Sequence, residues 1–128
     1  MTIRGVDHIN IATTRLQETR DFYVDVLGLT EGDRPPFDFP GHWLYADGFP
    51  IVHMQLSPRD VGASTLSALN HAAFQVADFD MLIARLEAAK VRYTLVNVPG
   101  TAIRQAFFMD PNGVRLELNE ARAVQGRG

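Results

Sequence analysis

Ala106-Phe107-Phe108-Met109-Asp110-Pro111-Asn112-Gly113-Val114-Arg115-Leu116-Glu117-Leu118 reads as a β-hairpin. Two apolar arms flank Asp-Pro-Asn-Gly, a cluster of the residues that tight turns require. Side chains alternate across a strand. Val114, Leu116 and Leu118 therefore share the face that a helix would cover, and Arg115, Glu117 and Asn119 share the other. A carboxylate between two leucines is the feature from which the rest of the chain can be read.

A similar hairpin stands earlier. Trp43-Leu44-Tyr45-Ala46 leads through Asp47-Gly48 into Ile51-Val52-His53-Met54-Gln55-Leu56. The same parity puts Val52 and Met54 beneath a helix and Ile51, His53 and Gln55 on the free face.

Upstream of each hairpin lie a strand and a helix. Val6-Asp7-His8-Ile9-Asn10-Ile11-Ala12 alternates, with Ile9 and Ile11 on one side and His8, Asn10 and Ala12 on the other. Thr14-Arg15-Leu16-Gln17 fits a capping box. Leu16, Thr19, Tyr23, Val26 and Leu27 then recur at helical spacing, and Gly28 is a helix stop. In the second half Leu69 to Val76 alternates, placing Phe74 and Val76 opposite His71, Ala73 and Gln75. Asp78 is an N-cap, and Phe79, Leu82, Ile83 and Leu86 form an apolar helical stripe. The remaining strands are expected near Leu29–Gly32 and Arg92–Val96.

The spacing makes the repeat quantitative. His8 to His53 is 53 − 8 = 45 positions and His71 to Glu117 is 117 − 71 = 46. His8 to His71 is 63 and His53 to Glu117 is 64. Two halves of equal length carry a metal-competent side chain at the same two places. Each half reads as strand–helix–strand–strand–strand, so the expected class is α+β. Two paired βαβββ modules would form a curved mixed sheet around a concave site. The expected boundaries are a first module at 1–58, a linker at 59–68, a second module at 69–119 and a frayed tail at 120–128.

Composition narrows the function. The chain has 128 residues, 46% of them apolar, enough to bury a core in one domain or two packed halves. The net charge is −3, with signs interspersed and no basic stripe, which argues against nucleic acid and anionic membranes. Cysteine is absent, so disulfides, thiolate metal sites and a cysteine nucleophile are excluded. No run approaches the roughly 20 apolar residues of a membrane span, and the first residues lack a signal-peptide core. A cytoplasmic protein is the expectation.

His8, His53, His71 and Glu117 all fall on the helix-free face. Imidazoles with one carboxylate suit Fe, Mn, Ni, Co or Zn, one divalent ion, and not calcium. Positions left open on such an ion would chelate neighbouring oxygens of a small-molecule substrate. Gln55 shares a face with His53 and could replace it as a donor. Around them, Asn10, Gln55, Phe37, Phe39, Trp43, Tyr45 and Phe108 are candidate substrate contacts, with Arg104 and Arg115 as anion holders. His42 is read as a rim residue. The Pro-rich segment from Asp33 to Gly41 is expected at the pocket entrance.

Val6-Asp7-His8-Ile9-Asn10-Ile11, Phe22-Tyr23 and Leu27-Gly28-Leu29 resemble the opening of glyoxalase, bleomycin-resistance and extradiol dioxygenase proteins, the vicinal oxygen chelate superfamily. Phe108 to Leu118 resembles their closing strand. The resemblance spans about residues 5–119. It implies paired βαβββ modules, metal ligands at His8, His71 and Glu117, and a fourth at His53, where glyoxalases commonly carry a carboxylate. It also implies a homodimer whose modules complete each site. The enzyme expected first is a glyoxalase-like lyase or isomerase with Glu117 as catalytic proton carrier. An Fe(II) extradiol dioxygenase and a metal-free drug-binding protein are the alternatives.

Overall fold

A computed structural model describes residues 2–120. The chain divides into two compact units at Val61/Gly62. The first contains β1 (Ile9–Thr13), α1 (Leu16–Asp21), β2 (Thr30–Gly32), β3 (Gly41–Ala46) and β4 (Phe49–Leu56). Its sheet order is β1-β4-β3-β2, with β1 parallel to β4 and the other pairs antiparallel. The second contains β5 (His71–Val76), α2 (Phe79–Ala88), β6 (Tyr93–Asn97), β7 (Arg104–Met109) and β8 (Arg115–Glu120), in the order β5-β8-β7-β6. Each unit is the expected βαβββ module.

Turn chemistry sets both hairpins. Asp47 and Gly48 take φ of 49° and 83°, two successive positive values, which suit the twist of a two-residue hairpin turn. In the second hairpin the Asp110 carboxylate accepts from the backbone N–H of Asn112 at 2.7 Å and of Val114 at 2.9 Å. Gly113 follows at φ 82°.

Burial follows the alternation. In the first unit Ile11, Leu44, Val52 and Met54 are buried on the sheet's helix side, together with Tyr23. The buried Thr13 and Thr19 hydroxyls lie 3.3 Å apart. In the second, Leu116, Leu118, Ala106 and Phe108 are buried, as are Phe79 and Leu86 of α2. Asp78 caps α2 by accepting from the Met81 N–H at 3.1 Å.

Three expectations change. The capping box does not form: the N-cap is Arg15, without a side-chain cap. Thr13 Oγ1 instead accepts from the Arg15 N–H at 2.8 Å, and Gln17 donates to Asp21. Past Asp21 the helix widens into a π turn over Phe22–Val26 before Gly28 ends it at φ 82°. Glu120, assigned to the tail, is the last residue of β8; the rest of that tail lies outside the described residues. Among the described residues no helix is long and apolar enough to cross a membrane.

Candidate metal and substrate site

Strand register repeats the same local frame in each unit. Asn10 pairs with His53 across β1 and β4, and Ala73 pairs with Glu117 across β5 and β8. From the hairpin, Trp43 pairs with His53 and Phe107 with Glu117. The fourth strand of each module thus presents a metal-competent side chain, flanked by an aromatic residue on the neighbouring strand. His8 and His71 stand two positions before Asn10 and Ala73, on the same face of their strands.

In the first unit His8 and His53 stack with ring centroids 3.7 Å apart, and Trp43 stacks on His53 at 4.0 Å. In the second unit His71 Nε2 lies 3.3 Å from Glu117 Oε1. Among the described residues no group of three or more His, Asp or Glu side chains gathers at metal-holding distance. The structure brings the four candidates together as two pairs, each within its own unit.

Hydrogen bonds orient every member. His8 Nδ1 lies 2.8 Å from the Asp7 carboxylate and His71 Nδ1 lies 3.0 Å from Asn70 Oδ1. Both partners are the residue just before the histidine. With the proton on Nδ1, each ring leaves its Nε2 lone pair free. His53 uses the other nitrogen: Nε2 lies 3.0 Å from the Pro50 carbonyl, leaving Nδ1 free. This division, one nitrogen donating to an oxygen and the other bare, is how imidazoles are set up for metal. Burial lowers the His53 pKa and the neighbouring His8 lowers it further, which favours the neutral ring.

Glu117 is 6% exposed. Gln105 Nε2 donates to its Oε2 at 3.0 Å and to Asn119 Oδ1 at the same distance. Its Oε1 faces the Nε2 of His71. With the His71 proton on Nδ1, its Nε2 and the carboxylate oxygen at 3.3 Å are two acceptors that a proton or a cation must bridge. The donor chemistry of both pairs fits a borderline divalent ion.

The substrate candidates divide. Asn10, Phe37, Trp43 and Gln55 line a cavity of about 170 Å³ beside His53. Phe39 lines it too. Tyr45 does not; its hydroxyl donates to the Asp33 carbonyl at 2.6 Å and ties down the loop that follows β2. Arg115 lies over the Phe107 ring at 4.5 Å, at the end of a larger groove of about 450 Å³ along β6 and β7. Arg104 is on the helix side, committed to Asp80 at 2.8 Å and Glu120 at 2.7 Å. Phe108 pairs with Leu116 and is 4% exposed, so it is core. Parity explains both corrections: in β7 it is Gln105 and Phe107 that share the face of Glu117. His42 likewise faces the helix side, 2.5 Å from Glu31.

Asp7, Asn70, Gln105, Phe107 and Arg34 escaped the sequence reading. The repeat offset could have found three of them. Asp7 and Asn70 are 70 − 7 = 63 positions apart, and Trp43 and Phe107 are 107 − 43 = 64.

Comparison with known proteins agrees with this architecture. The model of the Glyoxalase/Bleomycin resistance protein/Dioxygenase superfamily matches residues 5–118. The chain is 28% identical to "Glyoxylase I 4" of Arabidopsis thaliana, over 91% of this chain and 70% of that one. It is 30% identical to "Glutathione transferase FosA" of Serratia marcescens, over 91% and 81%. A glyoxalase-family crystal structure from Bacillus anthracis superposes with a TM-score of 0.79 at 23% identity, over 95% of this chain and 98% of that one, which shows a shared fold.

Proposed function

The chain belongs to the Glyoxalase/Bleomycin resistance protein/Dioxygenase superfamily, and from that membership we propose that it is a divalent-metal-dependent, glyoxalase-like lyase or isomerase acting on a small substrate with vicinal oxygens. Members of the superfamily typically use a divalent metal, bind small molecules and are dimeric. The single observation that carries the reading is the approach of His71 Nε2 to Glu117 Oε1 at 3.3 Å, with Asn70 on the other ring nitrogen and Gln105 on the other carboxylate oxygen.

His71 and Glu117 are the donors from the second module. His8 and His53 are the donors from the first. That the two pairs serve one ion, within one chain or across a homodimer, is part of the proposal; the matching register supports it. Bound there, the ion would act as a Lewis acid on two adjacent substrate oxygens. Glu117, oriented by Gln105, would carry the proton next to the substrate carbonyl. Trp43 and the cavity beside His53 would hold the substrate body and exclude water.

A metal-free binding protein is the second reading. The ring stack of His8, His53 and Trp43 favours it, since it offers a flat aromatic platform without needing an ion. Incubation with 2-oxoaldehydes, other vicinal dioxygen compounds and catechols, with each of several divalent ions, separates the readings. Isomerisation or lyase turnover that stops on chelation supports the first. Ring cleavage with iron would move the chain to dioxygenase chemistry. Tight binding without turnover under any ion would leave the binding protein.

A further inference from the structure

The first unit contains a cation that its own carboxylates do not neutralise. Arg34 lies in the loop between β2 and β3, and among the described residues no carboxylate stands within ion-pair distance of it. Two other arginines of this unit differ: Arg15 meets Asp60, and Arg20 meets Asp21 and Glu31. The Arg34 guanidinium makes one hydrogen bond, from Nη2 to the Phe39 carbonyl at 2.9 Å. Its Nε is buried and has no partner. The guanidinium carbon lies 5.0 Å from the ring centroids of both Phe37 and Phe39. Those contacts fix the fork without neutralising it.

The fork borders the cavity that also holds Asn10, Trp43, His53 and Gln55. Asn10 Nδ2 donates to Gln55 Oε1 at 3.0 Å, so the polar part of the wall is preset. The aromatic part is built from Phe37 and Trp43, whose centroids are 6.4 Å apart. The guanidinium is half-buried, its Nε is fully buried and unsatisfied, and it is held in place beside a mixed aromatic and amide wall, where an anion would complete its hydrogen bonds.

We propose that Arg34 is the anion anchor of this cavity and that the molecule bound there is a small organic acid, its carboxylate or phosphate on the guanidinium and its body against Phe37 and Trp43. A volume of about 170 Å³ is smaller than the roughly 300–1,000 Å³ of sites for drug-sized ligands. The ligand is therefore a compact acid. The assignment deepens the proposed function by naming a substrate class. It rests on that reading only for the anion's being the substrate; binding at Arg34 needs no metal.

Trp43 is the sole tryptophan of the chain and lines the cavity, so its fluorescence reports on this place alone. The full chain, dialysed against chelator, is titrated with benzoate, with inorganic phosphate and with neutral benzamide, and calorimetry checks each isotherm. Saturable change with benzoate, weakened about tenfold in Arg34→Ala and much weaker with benzamide, is the expected result, as for loss of one charge-assisted hydrogen bond. Arg34→Lys keeps the charge and part of the affinity, and its circular dichroism guards against misfolding. Competition by phosphate assigns the anchor to phosphate-bearing acids, and its absence to carboxylic acids. Equal binding of benzamide and benzoate, unchanged affinity in a folded Arg34→Ala, or no response to any probe would overturn the proposal. So would a Trp43 signal that changes on dilution and not with ligand, which would mean that a second copy covers the cavity. Metal content is irrelevant to every one of these outcomes, so failure here and failure of the enzymatic reading are separable.

Discussion

His71 Nε2 stands 3.3 Å from Glu117 Oε1 because Asn70 takes the other ring nitrogen. In the first unit Asp7 does the same for His8. Removing those acceptors frees each ring to rotate and to move its proton onto Nε2. Asn70→Ala and Asp7→Ala should each weaken metal binding about 10–100-fold, read by calorimetric titration with zinc or nickel. Asn70→Asp keeps an acceptor and should bind nearly as the parent does. Equal affinities in all the variants would mean that something else orients the imidazoles.

The two hairpin glycines test the turns separately. Gly48 has φ 83° and open space where a Cβ would go, so Gly48→Ala should cost only backbone strain, about 1–2 kcal/mol. At Gly113, φ 82°, an added Cβ would also meet the Ala63 Cβ at 3.2 Å. Gly113→Ala should therefore cost more than Gly48→Ala in urea unfolding. The reverse order would show that the Ala63 segment yields freely.

Helix capping separates a cap that forms from one that does not. Asp78→Ala removes the bond to the Met81 N–H and should cost about 1 kcal/mol. Thr14→Ala removes no cap from α1 and should leave the thermal midpoint nearly unchanged. Comparable losses in both variants would restore the capping box.

Glu120 contributes to acid stability. Hydrogen bonds from the Arg104 side chain, then from its backbone N–H, hold the Glu120 carboxyl below its ordinary value of 4.5. A depressed carboxyl stabilises the fold above its unfolded value, and that share is lost as pH falls through the folded value. The stability gap between the parent and Glu120→Gln should thus be widest above pH 4.5 and close at lower pH. A gap constant across that range would show that the carboxyl charge is not what Arg104 recognises.

The repeat was legible because strand alternation and turn chemistry are local. Asp47-Gly48 and Asp110-Pro111-Asn112-Gly113 mark the hairpins, and parity from His53 and Glu117 then orders the faces. The π turn at Phe22–Val26 left no periodic trace that separates it from a helix. Arg104 and Phe108 were misplaced because an unbroken apolar run does not show which of its two alternating sets faces the helix, and only pairing with Asn97 and Leu116 fixes their side. Arg34 escaped because Asp33 and Asp38 stand close to it in the sequence; that no carboxylate of the described residues reaches it is a fact of tertiary structure. The hydrogen bonds that choose a tautomer are equally invisible in the sequence, although the residues that make them stand beside the histidines.

The central claim is that His8, His53, His71 and Glu117 hold one divalent ion. Elemental analysis of chain purified without chelator, beside His8→Ala, His53→Ala, His71→Ala and Glu117→Ala, tests it most directly. The account predicts one transition ion per chain in the parent and its loss from each variant whose circular dichroism shows it folded. No metal in the parent, even after reconstitution with several divalent ions, would contradict it.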